Sequence, residues 1–253
     1  MRTVGVDLSA ELKDTWMATI EWTAAGACLE LLEKSVSDSE IVAAALEADK
    51  TGIDCPFGWP ELFFEFIGQH RSGAVKPQEG LGKSWREKLA YRTTDLAIKE
   101  RWKGSSILSV SSDKLGRVAF RCAALLADLQ LAGVEVDRSG MTGSVVEIYP
   151  AGSLRVWERR YSGYKKDKDV LSELVDDLLT HAPWLDLGHW RHECVETHDA
   201  FDAVIASLTA RAVAIGLATG PTADQMTDAK VEGWIRLPLD ESLPGLVTDA
   251  SRR

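Results

Sequence analysis

Thr3-Val4-Gly5-Val6-Asp7-Leu8-Ser9 is an apolar run that closes on a carboxylate. Val4–Leu8 lacks polar alternation before Asp7, the pattern of a central strand buried on both faces. An acid at the end of such a strand is costly unless it has a partner. A second stretch, far along the chain, supplies candidates: Thr197-His198-Asp199-Ala200-Phe201-Asp202-Ala203-Val204-Ile205-Ala206-Ser207-Leu208. It opens a long apolar helix with Asp199 and Asp202 at i and i+3, on one face near its start.

The intervening sequence connects the two. Trp16–Trp22 and Ala27–Lys34 read as strands with Gly26 in the turn between them, so the first three strands form an antiparallel meander. Ser37-Asp38-Ser39-Glu40 is a capping box that opens a helix over 41–48. Gly52-Ile53-Asp54-Cys55-Pro56 follows as a short strand stopped by proline. Strands one and four thus each end in a carboxylate. If they run parallel, both acids lie at the sheet edge where open α/β sheets place their sites.

Residues 56–140 interrupt this rhythm. Glu61–Phe66, Ser84–Lys103 and Val118–Ala132 read as helical, with a loop over 68–82 and a serine-rich turn over 105–112. Ser144–Tyr149 is a fifth strand and carries Glu147. Helices are expected over 155–161, 170–179 and from Thr197 or His198 to Leu217, where Gly220-Pro221 stops the last one. Residues 231–237 suggest a small edge strand. The expected architecture is a single α/β domain over 1–239. Its sheet is mixed and five-stranded, with strands 1–3 antiparallel and 1-4-5 parallel. Flanking helices, a helical insertion at about 56–140 and a loose tail over 240–253 complete it.

The 253 residues are 45% hydrophobic and 27% charged, an ordinary globular composition. No apolar run approaches the roughly 18–20 residues of a membrane span. The early first strand leaves no room for a signal peptide, so a cytoplasmic location is expected. Cys28, Cys55, Cys122 and Cys194 are scattered and form no zinc-like or disulfide-like spacing. The net charge of −10 argues against a polyanionic partner. Residues 71–121, however, hold 12 basic and 5 acidic side chains, interleaved with Trp85, Tyr91 and Trp102. Such a section could grip phosphates and stack bases, or form a solvated helical face.

Asp7, Asp54, Glu147, Asp199 and Asp202 make a suggestive acidic set. Carboxylates brought together repel and raise one another's pKa unless a cation neutralises them. Mg²⁺ or Mn²⁺ suits them, as hard ions that take oxygen ligands and keep open positions. Two such ions roughly 3.5–4 Å apart would activate water and stabilise the leaving oxygen of a phosphodiester. Asp54 could instead make an Asx-turn and Asp199 could serve as a helix-start acid. Asp202 lies beyond any cap, and His198 is within reach of the set.

Gly5-Val6-Asp7-Leu8, Ile53-Asp54-Cys55-Pro56-Phe57-Gly58-Trp59-Pro60, Arg92-Thr93-Thr94-Asp95, Glu147-Ile148-Tyr149-Pro150-Ala151 and His198-Asp199-Ala200-Phe201-Asp202-Ala203 occur in that order. Together they resemble the predicted RNase H-like nuclease family called domain of unknown function 429. The final helix is also similar to the Asp-x-x-Asp helix of RuvC-type resolvases. The resemblance implies catalytic, metal-binding acids at Asp7, Asp54, Asp199 and Asp202, with Glu147 as a further ligand. It implies further site residues at Arg92 and Asp95, expected at the substrate, and Trp59 could wall the pocket. RuvC-like enzymes generally carry glutamate on the fourth strand, where this chain has Asp54. The expected function is a Mg²⁺- or Mn²⁺-dependent nuclease, acting on nucleic acid or on a phosphorylated small molecule. Two rivals are an ATP-dependent phosphotransferase of actin–hexokinase type and a non-catalytic metal- or ligand-binding module. The first would place a glycine-bearing turn after Asp7, where this chain has Leu8-Ser9-Ala10.

Overall fold

Arg2–Asp7 forms β1, Trp16–Trp22 β2 and Ala27–Lys34 β3, paired as the antiparallel meander that the sequence predicts. The structure is a computed structural model and describes residues 1–75, 83–103, 107–159 and 161–247. α1 (Asp38–Glu47) starts on the predicted capping box, and its chain returns as β4 (Lys50–Asp54), parallel to β1. Four helices follow: α2 (Glu61–Arg71), α3 (Lys83–Ala90), α4 (Thr93–Arg101) and α5 (Gly116–Leu131). β5 (Val145–Ile148) then pairs parallel to β4.

The remaining elements are α6 (Pro150–Val156), α7 (Lys168–His181), β6 (Leu185–Asp186), α8 (Arg191–Glu196), α9 (His198–Ala214), α10 (Met226–Glu232) and β7 (Ile235–Arg236). The sheet order is β6-β3-β2-β1-β4-β5-β7. The five expected strands form its centre in the expected directions. Two two-residue strands extend its edges: β6 beside β3, which the sequence reading did not include, and β7 beside β5, within the edge strand expected over 231–237.

Three elements depart from the sequence reading. The helix expected from Arg155 begins at Pro150, whose fixed φ suits the first helical position, and ends at Val156. The helix expected over 84–103 is two helices, α3 and α4. The extended Arg92 between them sends its side chain into the interior. The expected tail is anchored as far as Val247: Ser242, Leu243 and Leu246 are buried, and Trp157 Nε1 donates to Ser242 Oγ at 3.0 Å. Lys76, the rest of the expected loop over 76–82, residues 104–106 of the serine-rich turn and residues 248–253 lie outside the described residues.

Two apolar layers sandwich the sheet. Val4, Val6 and Leu8 point to one side, where α1 and α5 contribute Ile41, Cys122, Leu125 and Leu129. On the other side, α9 lies against β1, β2 and β4 and is buried almost throughout, from Ala200 to Ala212. A helix that is apolar on every face belongs in such a position.

The contact of α9 with β1 follows the period of two along the strand. Thr3 Oγ1 lies 2.8 Å from Ser207 Oγ, and Ser207 Oγ also donates to the Thr3 carbonyl at 3.0 Å. Two residues on, a Cβ at Gly5 would overlap the Ala203 carbonyl oxygen and the Ser207 amide nitrogen. Its register partner on β4 is Gly52, where a Cβ would come within 2.7 Å of the Ala206 carbonyl oxygen. The glycine pair lets the helix backbone rest directly on the sheet.

Gly5→Val therefore forces helix and sheet apart. Overpacking of this kind costs about 1–3 kcal/mol or more, read as a lowered midpoint of urea unfolding. Gly73→Ala is the control, because there nothing lies within 4 Å of an added Cβ, although its φ of 69° adds its own modest strain.

Candidate metal centre

The strand register that pairs Gly5 with Gly52 also pairs Asp7 with Asp54, so two carboxylates end adjacent parallel strands side by side. The close seat of α9 brings the third. Asp202 lies one turn into that helix and is fully buried. Ligand oxygens of Asp7, Asp54 and Asp202 all lie within 4.8 Å of one another. Three hard oxygen donors at that separation can hold a metal ion.

The electrostatics match such a role. Burial, together with repulsion from Asp202, Asp54 and Asp199, pushes the Asp7 carboxyl well above the usual carboxylate range. Asp54 is pushed up to about 7, chiefly by burial, with Asp202 and Glu147 adding to it against the pull of Lys165. These acids lack sufficient positive charge to ionise together.

Part of that charge comes from a segment that the sequence did not single out. The Tyr164 hydroxyl donates to Asp202 Oδ1 at 2.6 Å, and the Lys165 ammonium lies 2.6 Å from Asp202 Oδ2. Burial opposes the charge on Lys165, but Asp202 and Asp54 outweigh it and hold the proton on the amine. In the sequence Lys165 is one of a run of lysines between two helices, and only the fold turns it inward. The one local hint is Gly163, which adopts a φ of 92° at the turn ahead of the pair.

The other expected site residues fall into two groups. Asp199 stands in the first turn of α9, outside the triad, with Oδ1 2.7 Å from His198 Nδ1. Against the effect of burial, His198 holds the Asp199 carboxyl below its ordinary value. Thr197 Oγ1 caps the helix by accepting from the Asp199 amide.

Glu147, expected as a ligand, and Arg92 and Asp95, expected at a substrate, instead form a buried network. The Arg92 guanidinium is 2% exposed, and all five of its N–H donors are used. Nε and Nη2 donate to Asp95, at 3.1 and 2.9 Å, and Nη1 and Nη2 to Glu147, at 2.8 and 2.7 Å. The last donor reaches the Glu232 carbonyl at 3.2 Å. Glu147 Oε2 also accepts from the Phe57 amide at 2.9 Å. A saturated guanidinium has nothing left to offer a substrate. Arg92 locks α4, β5, α10 and the loop after β4 together at the edge of the site.

Trp59 stacks on Phe120, with ring centroids 5.7 Å apart. Over the triad opens a cavity of about 720 Å³, lined by Asp7, Asp54, Glu147, Tyr149, Lys165 and Lys166 among others; Trp59 is not part of its wall.

The family model for protein of unknown function (DUF429) matches residues 5–227. The chain belongs to that family. Neither the curated proteins nor the solved structures give a match to it. The DUF429 match spans every acid of the triad, from β1 through α9 into α10.

Two outcomes are expected. Arg92→Met leaves Glu147 and Asp95 buried without a counter-charge and lowers unfolding stability by about 3–5 kcal/mol, read by urea denaturation. In chelator, the folded state keeps the Asp54 proton up to about pH 7, whereas an unfolded aspartate releases it near pH 3.9. The folded state binds the proton more tightly, so the contribution of Asp54 to stability falls as pH rises from about 4 to about 7. Asp54→Asn removes that part of the slope from a series of urea midpoints across this pH range.

Proposed function

We propose that this DUF429 chain is a divalent-metal-dependent phosphodiester hydrolase of RNase H-like type, a nuclease in the broad sense. The observation that carries the reading is the meeting of Asp7, Asp54 and Asp202 beneath an open cavity. The donor set suits Mg²⁺ or Mn²⁺: oxygens only, no sulfur or nitrogen, and three carboxylates against one ammonium. Asp7, Asp54 and Asp202 would hold the ion. When bound, such an ion supplies a nucleophilic water and stabilises charge on the leaving oxygen.

The chain's own residues prepare the site. Tyr164 fixes the rotamer of Asp202 through its hydroxyl, as outer-shell donors do for metal ligands. Lys165 brings a positive charge to the cavity within reach of the acids, where a phosphoryl oxygen would lie. Glu147, held by Arg92, accepts from the Phe57 amide and so ties β5 to the loop that follows Asp54. Leu8-Ser9-Ala10, which lacks glycine after Asp7, disfavours the phosphotransferase alternative, because that chemistry needs a close backbone approach to ATP phosphates.

The test is cleavage of a phosphodiester panel with Mn²⁺ or Mg²⁺ beside Asp7→Asn. Metal-dependent cleavage is expected, and its loss in the variant should exceed the roughly 10–100-fold that outer-shell partners of a metal are worth. Calorimetry on the same pair should show the divalent ion bound by the parent chain and not by the variant. A folded chain that binds the ion and cleaves nothing would sink the hydrolase and leave a binding module.

A further inference from the structure

We propose that the cavity above the triad takes a terminal nucleoside phosphodiester, one nucleotide at a time, and does not admit the interior of a polynucleotide. This rests on the hydrolase reading above and narrows its substrate.

Three observations lead to it. The first is size. At about 720 Å³ the cavity falls within the roughly 300–1,000 Å³ typical of small-molecule pockets.

The second is the distribution of chemistry on its walls. Charged groups cluster at the triad, where Asp7 and Asp54 line the cavity and Lys165 reaches Asp202. Ile107, Leu108, Leu115 and Val118, from the segment ahead of α5 and its first turn, give the lining apolar surface. Tyr149 and Tyr161 add aromatic surface to the same lining. Charged groups and apolar and aromatic surface in one cavity of this size fit one phosphoryl group bearing one nucleoside. Leu108 remains 40% exposed although it lines the cavity, so apolar surface is left there for a ligand to cover.

The third is what has become of the basic section. A protein that grips a long polyanion presents cations to successive phosphates. Here Arg92 is buried and saturated. Lys99 pairs with Glu87 at 2.6 Å, Arg101 with Asp240 at 2.8 Å, Arg117 with Glu11 at 3.1 Å and Arg121 with Asp38 at 2.7 Å. With Arg92, these pairs engage five of the twelve basic residues of the section. On a chain of net charge −10, the remaining field opposes a polymer far more than a single phosphodiester.

The experiment uses the full chain with Mn²⁺ and four substrates: thymidine 5′-p-nitrophenyl phosphate, a linear single strand, a circular single strand and a closed circular duplex. The nucleotide ester should be hydrolysed, and the linear strand should be shortened from an end if strand termini are the source of the ligand. Both circles should stay intact. Leu115→Trp and Val118→Phe, which enlarge the apolar lining, should each lower kcat/KM for the ester at least about tenfold, the low end of what a changed pocket contact is worth. Mn²⁺ binding by calorimetry should be unchanged in both. Cleavage of either circle at a rate comparable to the linear strand overturns the proposal and leaves the hydrolase standing. If no substrate is cut, the hydrolase reading fails, and thymidine monophosphate titrated in Mn²⁺ decides the cavity separately. Binding that the filled variants lose keeps the nucleotide assignment, and no binding removes it.

Discussion

The direct seating of α9 on the sheet is the constraint on which the rest depends. A helix normally stands off from a strand by the thickness of two side chains. Here Gly5 and Gly52 remove the strand side chains, and the helix backbone comes down to the pleat. Glycine within a strand costs about 0.5–1 kcal/mol relative to alanine. The return is a helix buried from Ala200 to Ala212 and a polar clasp between Thr3 and Ser207. The same approach carries Asp202 to the ends of β1 and β4. Packing and site geometry are therefore one decision, made at two glycines that bear no chemistry themselves.

The two acid groups at this sheet edge are treated in opposite ways. Glu147 and Asp95 surround a guanidinium that satisfies them completely, so that group is stable and inert. Asp7, Asp54 and Asp202 share one lysine, and the imbalance shows at Asp7 and Asp54, whose carboxyls hold protons above their ordinary range. A protein under pressure only to be stable would remove such an imbalance. Its presence a few residues from a fully satisfied network singles out the triad as the candidate site.

Much of this was legible in the sequence because the signals are local and periodic. The apolar run into Asp7, the capping box at Ser37 and Glu40, and the proline after Asp54 each set their own element. Asp202 stood out as an acid on an otherwise apolar helix. What could not be read depends on distant partners. Nothing around Arg92 says that its five donors are already claimed by Asp95, Glu147 and Glu232. The pattern around Lys165 is that of a solvated lysine run, and its inward turn needs Asp202 in place first. β6 is two residues long and pairs with β3 only at Ala27 and Cys28, too short a run to carry a periodic signal. Gly5 and Gly52 were the missed opportunity, since glycine in the middle of an apolar strand signals that another backbone comes close.

Glu232 has a bearing on how the chain assembles. One of its carboxylate oxygens accepts from the Glu61 amide at 2.9 Å and the other from the Thr93 amide at 2.7 Å, closing the first turns of both α2 and α4. These partners are separated by 171 and 139 residues of chain. During synthesis α2 and α4 therefore exist for a long interval with their starts open, and so does the sheet edge that awaits α9. Contacts of such sequence separation form late. The triad of acids likewise comes together only when α9 closes on β1 and β4, so a half-folded chain lacks the candidate metal site.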